Sequence, residues 1–281
     1  MKLLRNVGTT TKAILLAGLL GACQTENDST LAPQASANVS DKNAKTVNIP
    51  RLIKDGENEL QYVADGLGRQ VLSKVIDHGA NKYYKYTYSV QSVVEDQFQL
   101  GTDKPLGQVI YKLNANGKCN EMIIGGKTFI LEYNADGQLA KRYNKNSANE
   151  RIEFEYLQDS NANSKSLDKM TFFTAGNAKI REVSFHYHYS GEPVKLDLMP
   201  LNPKYLDCTT RYLPIFGKFN TFLLRISNDN WIASGGIDQN FVYYYSLSAE
   251  GLPTLIDQSI FGGNGFTTTV QRKYFSPLAG Q

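Results

Sequence analysis

The stretch Leu131 to Tyr143, LEYNADGQLAKRY, decides how this chain is read, because it folds naturally as two half-strands around a turn. A near copy, YKLNANGKCNEMI, runs from Tyr111 to Ile123, and shorter copies occur at Tyr62-Val63-Ala64-Asp65-Gly66 and Leu247-Ser248-Ala249-Glu250-Gly251. Aligned on the glycine, all four carry a large apolar residue four before it, Ala two before, and Asp, Asn or Glu one before. A type I turn closed by a left-handed residue explains the pattern: Asn or Ser at the first position accepts a backbone N–H, and Gly takes the positive φ. The reading makes Gly66, Gly117, Gly137 and Gly251 turn-formers, with Tyr133 and Leu139 as core.

The flanks alternate with period two. In RIEFEY, Ile152, Phe154 and Tyr156 point one way while Arg151, Glu153 and Glu155 point the other. Tyr84, Tyr86 and Tyr88 share a face, as do Phe185, Tyr187 and Tyr189, and the 17 Tyr and 13 Phe suit pleated surfaces. No long helical stripe is present in the chain after residue 22. The expected fold is all-β: an antiparallel meander of hairpins curled into a barrel-like or half-barrel sheet, which must curl to protect its edges. Charges opposite the aromatics predict a wet outer face, not a membrane-spanning one. Three prolines interrupt pairing in Met199 to Leu224, which is expected to pack across a mouth or face of the sheet as a plug or short helix.

The N-terminus has a different character. Lys2, Arg5 and Lys12 precede the apolar run AILLAGLL, which closes on Leu20-Gly21-Ala22-Cys23. This is the pattern of a lipoprotein signal peptide, in which the Cys23 thiol receives a diacylglycerol and becomes the new N-terminus. The apolar run is far below the roughly 20 residues of a membrane span, and two or three acyl chains, palmitate among them, anchor stably. The expected organisation is a signal peptide over 1–22, a lipid anchor and polar flexible linker over 23–46, and one β domain over 47–281. Gln24 after the cysteine is compatible with the outer membrane, leaving its periplasmic or cell-surface side open.

Removing residues 1–22 takes away three of the 30 Lys and Arg and none of the 27 Asp and Glu, so 30 − 3 = 27 cations face 27 anions. A chain near neutrality lacks the dense basic face that nucleic acid requires, which excludes nucleic acid as a partner. The partners expected are the membrane, through the anchor, and a glycan or another envelope protein.

Sites are sparse. His186 and His188 in FHYHY share a strand face, but zinc takes a third and usually a fourth ligand, so they are weak metal candidates weighed against two solvent-facing imidazoles. Ser166-Leu167-Asp168-Lys169 matches a Ser-x-x-Lys spacing without its companion motifs, a chance match. No catalytic residue and no cofactor is implied by any motif. Trp231, Tyr212 and Phe216, near the irregular segment, are the candidate ligand-binding residues, since exposed rings stack on sugars, although aromatics also dominate cores. Cys119 and Cys208 are expected as buried thiols, a bridge between them being the alternative.

LEYNADGQLAKRY, Tyr212-Leu213-Pro214-Ile215-Phe216-Gly217-Lys218, VYYYSLSAEGLPTLI and the final TTTVQRKYF together resemble uncharacterised Bacteroidota outer-membrane lipoproteins, a domain of unknown function with a porin-like fold. The resemblance covers most of residues 50 to 275 and implies a barrel-like antiparallel sheet without catalytic residues. The hairpins also resemble the Tyr-Asp repeats of large secreted proteins. The expected function is a non-enzymatic, lipid-anchored binding or interaction scaffold of the envelope; the rivals are a hydrolase of envelope or glycan material, with acids assembled only in the fold, and a structural envelope component.

Overall fold

The computed structural model describes residues 51–159, 164–188, 196–197, 201–206, 211–232, 237–247, 253–261, 267–270 and 272–275. The expected signal peptide, Cys23, Cys208, Tyr189 and Gly251 lie outside the described residues. The strands are β1 (Arg51–Asp55), β2 (Asn58–Ala64), β3 (Gln70–Asp77), β4 (Lys82–Tyr88), β5 (Ser92–Gln99), β6 (Pro105–Leu113), β7 (Cys119–Ile124), β8 (Lys127–Tyr133) and β9 (Leu139–Asn144). They continue with β10 (Ser147–Gln158), β11 (Lys165–Phe173), β12 (Lys179–His186), β13 (Ile226–Trp231), β14 (Ile237–Leu247), β15 (Pro253–Phe261), β16 (Thr267–Val270) and β17 (Arg272–Phe275). Each strand from β1 to β15 pairs antiparallel with its successor, and β17 pairs antiparallel with β1, bringing the last strand back beside the first. The expected all-β antiparallel meander, curled as a barrel-like or half-barrel sheet, is therefore the observed architecture; among the described residues no pairing of β16 with β17 closes it into a barrel, and no described helix is long and apolar enough to cross a membrane.

Antiparallel order gives the sheet two rims. Even-numbered strands from β2 to β14 run toward one, called the upper rim here, and the strands that follow them run back toward the lower. The two turns of the repeat, at Asn114–Lys118 and Asn134–Gln138, lie on the upper rim. In each, the glycine N–H donates to the Asn carbonyl at 2.9 Å, and the Asn side chain accepts the N–H of Lys118 at 3.1 Å or of Gln138 at 2.9 Å. Gly117 and Gly137 take φ of 71° and 73°, which only glycine adopts without strain.

The first copy needs a correction. Gly66 sits in its turn but has no positive φ; the left-handed residue is Gly68, at 75°. Asp65 is the acceptor, taking the N–H of Leu67 at 2.9 Å and of Arg69 at 2.8 Å, so Asp65-Gly66-Leu67-Gly68-Arg69 aligns with Asn114 to Lys118. Two glycines flanking Leu67 allowed an alignment two residues out of step. Another turn, Thr174 to Ala178 on the lower rim, has the same bonds with Asn177 at φ 63° in the glycine position, because Asn tolerates the left-handed region better than other residues with a side chain.

The core lies inside the curl. Residues of the irregular segment meet strands all round it: Tyr205 packs edge-on to Phe185 of β12 and Phe241 of β14, Phe216 packs edge-on to Tyr111 of β6, and Phe219 lies tilted against Phe154 of β10. Only the concave side of a curled sheet allows one segment to reach so many strands. Leu206, Leu213, Ile215 and Phe216 are buried, and the segment forms short 3-10 turns at Lys204–Leu206 and Pro214–Phe216. The expectation of a plug holds, and the aromatic faces read from alternation point inward onto it.

The outward face is ionic. Lys112 pairs with Glu121, Lys169 with Glu155 and Lys127 with Glu150. The Lys112 ammonium holds the Glu121 carboxyl below the usual carboxylate range. A lipid-facing strand band is apolar, so these strands are not a wall embedded in hydrocarbon.

Candidate functional site

A groove of about 360 Å³ opens at the upper rim. It is lined by Leu157, Asp159, Ser166, Asp168, His186, His188 and Phe222 among others, where β10 ends, β11 begins and β12 ends. A β-bulge shapes it: Glu155 pairs with Lys169 and Tyr156 with Leu167, which leaves Asp168 as the extra residue and re-aims its carboxylate. Ser166 is pinned, donating to Asp159 Oδ2 at 3.1 Å while its Oγ accepts the Thr221 N–H at 3.2 Å. Tyr187 closes the floor, its phenol donating to the Leu167 carbonyl at 2.9 Å, and burial pushes that phenol well above its ordinary pKa. The groove combines an apolar floor with imidazole, carboxylate and hydroxyl groups at its lip, which suits reversible recognition of a polar molecule with an apolar face.

A second set of polar groups lies in the interior. Arg181 of β12 grips Asp229 of β13 through two bonds, at 2.7 and 2.6 Å, and its guanidinium covers the Trp231 ring at 4.3 Å. Tyr205 reaches Ser227 at 3.2 Å, Arg142 donates to the Leu206 carbonyl at 2.6 Å, and Tyr212 donates to Asp55 at 3.2 Å. Glu95, fully buried, accepts from Tyr111 at 3.2 Å and Gln97 at 3.1 Å. Lys204 lies over Phe241 at 3.2 Å, and burial, with Arg211 and Arg181 nearby, drops its amine to about 7. Tyr205, Leu206 and Tyr212 tie the plug to the sheet, while Arg181 with Asp229 and Glu95 with Tyr111 link strand to strand, each buried carboxylate meeting a donor as buried charge requires.

The sequence-derived candidates fall apart spatially. Phe216 is in the core against Tyr111, Tyr212 is bonded to Asp55, and Trp231 is exposed at the lower rim with one face under Arg181. His186 and His188 are both exposed, opposite buried Phe185, and line the upper groove; His186 Nε2 lies 3.3 Å from the Asn228 amide. Among the described residues, no group of three or more His, Cys, Asp or Glu side chains converges as a metal site. Cys119 is fully buried, its thiol 3.4 Å from the Glu121 carbonyl. Ser166 and Lys169 point apart, the first into the groove and the second outward to Glu155.

Sequence reasoning missed Glu95, Arg142, Arg181, Asp229 and Lys204. For Glu95 a signal existed: it lies two residues after buried Val93 on a strand, so alternation puts it on the core face.

No family model matches the chain, and no curated protein matches it. Among solved structures, a porin-like protein from Bacteroides uniformis is similar at a TM-score of 0.42 and 13% identity, over 80% of this chain and 94% of that one. A porin-like protein from Bacteroides vulgatus is similar at a TM-score of 0.42 and 15% identity, over 82% of this chain and 100% of that one.

Proposed function

We propose that the chain is a non-enzymatic binding scaffold of the cell envelope, held at the outer membrane by acyl chains on Cys23, and that it takes a glycan in the upper-rim groove. One observation carries this reading: the interior of the curled sheet is filled by the segment that includes Tyr205, Leu213, Ile215, Phe216 and Phe219, which leaves surface relief at the rim as the place to meet a ligand. Phe222 supplies apolar area for a sugar face, while Asp159, Asp168, His186 and His188 supply acceptors and donors for its hydroxyls. The rival hydrolase requires a desolvated acid facing a cleft. Here the buried acids Glu95, Asp55 and Asp229 are engaged by Tyr111, Tyr212 and Arg181 inside the core.

Glycan-array binding by the purified chain tests the assignment. Binding is expected to fall at least about tenfold in a Phe222→Ala, His188→Ala variant, consistent with losing a stacking face and a hydrogen bond. Turnover of any polysaccharide by the chain overturns the non-enzymatic reading, and capture of an envelope protein instead of a glycan replaces the ligand. Intact mass of the chain from membranes is expected to show acyl groups on Cys23.

A further inference from the structure

We propose that the upper rim rests on the membrane surface, with Val63, Leu67, Val90, Leu157 and Leu196 entering the headgroup layer. The inference rests on the Cys23 anchor of the proposed function and adds an orientation to it. Exposed aliphatic residues scattered singly need no explanation; Ile53 within β1, and Leu106, Trp231 and Ile232 at or beside the lower rim, are 37% to 43% exposed, whereas these five, the most exposed large apolar side chains described, are gathered at the upper rim. Val63 and Leu157 lie near the upper ends of β2 and β10, Leu67 at the tip of the β2–β3 turn, and Val90 between β4 and β5. Leu196 bridges to Phe222 beside the groove. They are 51%, 57%, 45%, 61% and 58% exposed in the order Val63, Leu67, Val90, Leu157, Leu196.

Chain direction supplies the second observation. β1 is antiparallel to β2, so it descends, and Arg51 stands at the upper rim. The segment from Cys23 therefore joins the sheet on the side where the aliphatic tips project. Local charge adds the third. Asp65 is paired with Arg69 at 2.8 Å and Asp136 with Lys165 at 2.7 Å, and Lys118 is engaged by the Gly137 carbonyl at 2.6 Å. The lower connections carry more charged side chains, Glu57, Asp77, His78, Asp103, Lys104 and Lys145, some of them also partnered: His78 lies 3.2 Å from Glu59, Lys145 lies 3.7 Å from Glu121, and Asp103 accepts from Tyr83 at 2.7 Å. Aliphatic tips among internally neutralised charges suit shallow insertion by apolar burial, not attraction to anionic lipid. The groove opens on this rim, which sets its ligand among molecules borne at the membrane surface.

Amide hydrogen exchange on the acylated full-length mature chain in phosphatidylcholine vesicles tests the orientation against the Cys23→Ser chain in buffer. Residues 65–69 and 89–91 are expected to exchange about threefold more slowly or better on vesicles, with residues 100–104 and 125–126 unchanged. A Leu67→Ser, Val90→Ser, Leu157→Ser variant, changed only at exposed positions, is expected to lose the protection while staying anchored. Protection of the lower turns, or of neither rim, overturns the proposal. If mass measurement finds no acyl group on Cys23, the anchor fails separately; the Cys23→Ser chain mixed with concentrated phosphatidylcholine vesicles then decides the rim, protection at 65–69 supporting it and none overturning it.

Discussion

The two rims end their strands with different chemistry. At the upper rim, phenols reach back to the neighbouring strand: Tyr62 donates to the Leu52 carbonyl at 2.9 Å, Tyr88 to Leu72 at 2.7 Å, Tyr133 to Cys119 at 2.6 Å and Tyr156 to Leu139 at 2.9 Å. Tyr187 and Tyr245 do the same to Leu167 and Leu224. Register shifts fall at the same ends, at Tyr62, Leu113, Tyr133, Tyr156 and Leu247, so the phenols supply donors where the ladder is interrupted. Toward the lower rim the interior is closed by charge, with Arg181 on Asp229 and Arg211 near Asp55 at 3.6 Å. A neutral collar can sit close to a lipid surface or a sugar; a network of buried ions mainly fixes the plug in place.

The sharpest way to break this comparison is pH. Burial pushes Tyr62 up to about 12, Tyr88, Tyr133 and Tyr156 higher still, and Tyr187 well above its ordinary value. A phenol with a raised folded pKa contributes stability that is intact below its unfolded value near 10 and is lost as pH rises toward the folded value. Unfolding free energy is expected to drop by about 1 kcal/mol per buried phenol by pH 11, several in total, in urea titrations. Lys204 acts in the opposite sense: its depressed amine makes stability rise with pH between about 7 and 10. A Lys204→Met variant is expected to flatten that rise while leaving the alkaline loss.

Next in size is the lower rim alone. Arg181→Leu leaves Asp229 buried without its guanidinium and is expected to cost about 3–5 kcal/mol by chemical unfolding. The turns test the corrected alignment: Gly68→Ala is expected to cost about 1–2 kcal/mol for its left-handed φ, whereas Gly66→Ala, with no positive φ and nothing within 4 Å of the added Cβ, is expected to change little. Smallest is Tyr133→Phe, which removes one phenol donor from the collar and is expected to cost about 1 kcal/mol.

Much of the fold was legible in the sequence because period-two alternation and Asn-x-x-Gly turn chemistry are local. Ile152, Phe154 and Tyr156 turned inward and Glu155 outward as their order in RIEFEY required. The β2–β3 turn was misplaced because the Asp65 side chain, not the first glycine, sets its frame. The site was hardly legible. Asp168 is aimed by a bulge that depends on register with β10, and Phe222 comes to the groove from far along the chain, so neither placement follows from local spacing. Tyr212 and Phe216 were drawn as ligand residues from an irregular, aromatic stretch, yet an irregular segment can reach many strands at once and fill a core.

The central claim is that this connection is core and not loop. Amide hydrogen exchange of the chain tests it at Leu167, whose N–H donates to the Phe219 carbonyl at 2.6 Å, and at Asn202, whose N–H donates to the Arg211 carbonyl at 2.9 Å. Both amides are expected to open only with global unfolding, at the free energy measured for β6 and β10. Exchange of Asn202 and Leu167 at loop rates, with the β6 and β10 amides still protected, would mean that the interior is open, and the scaffold reading would fall with it.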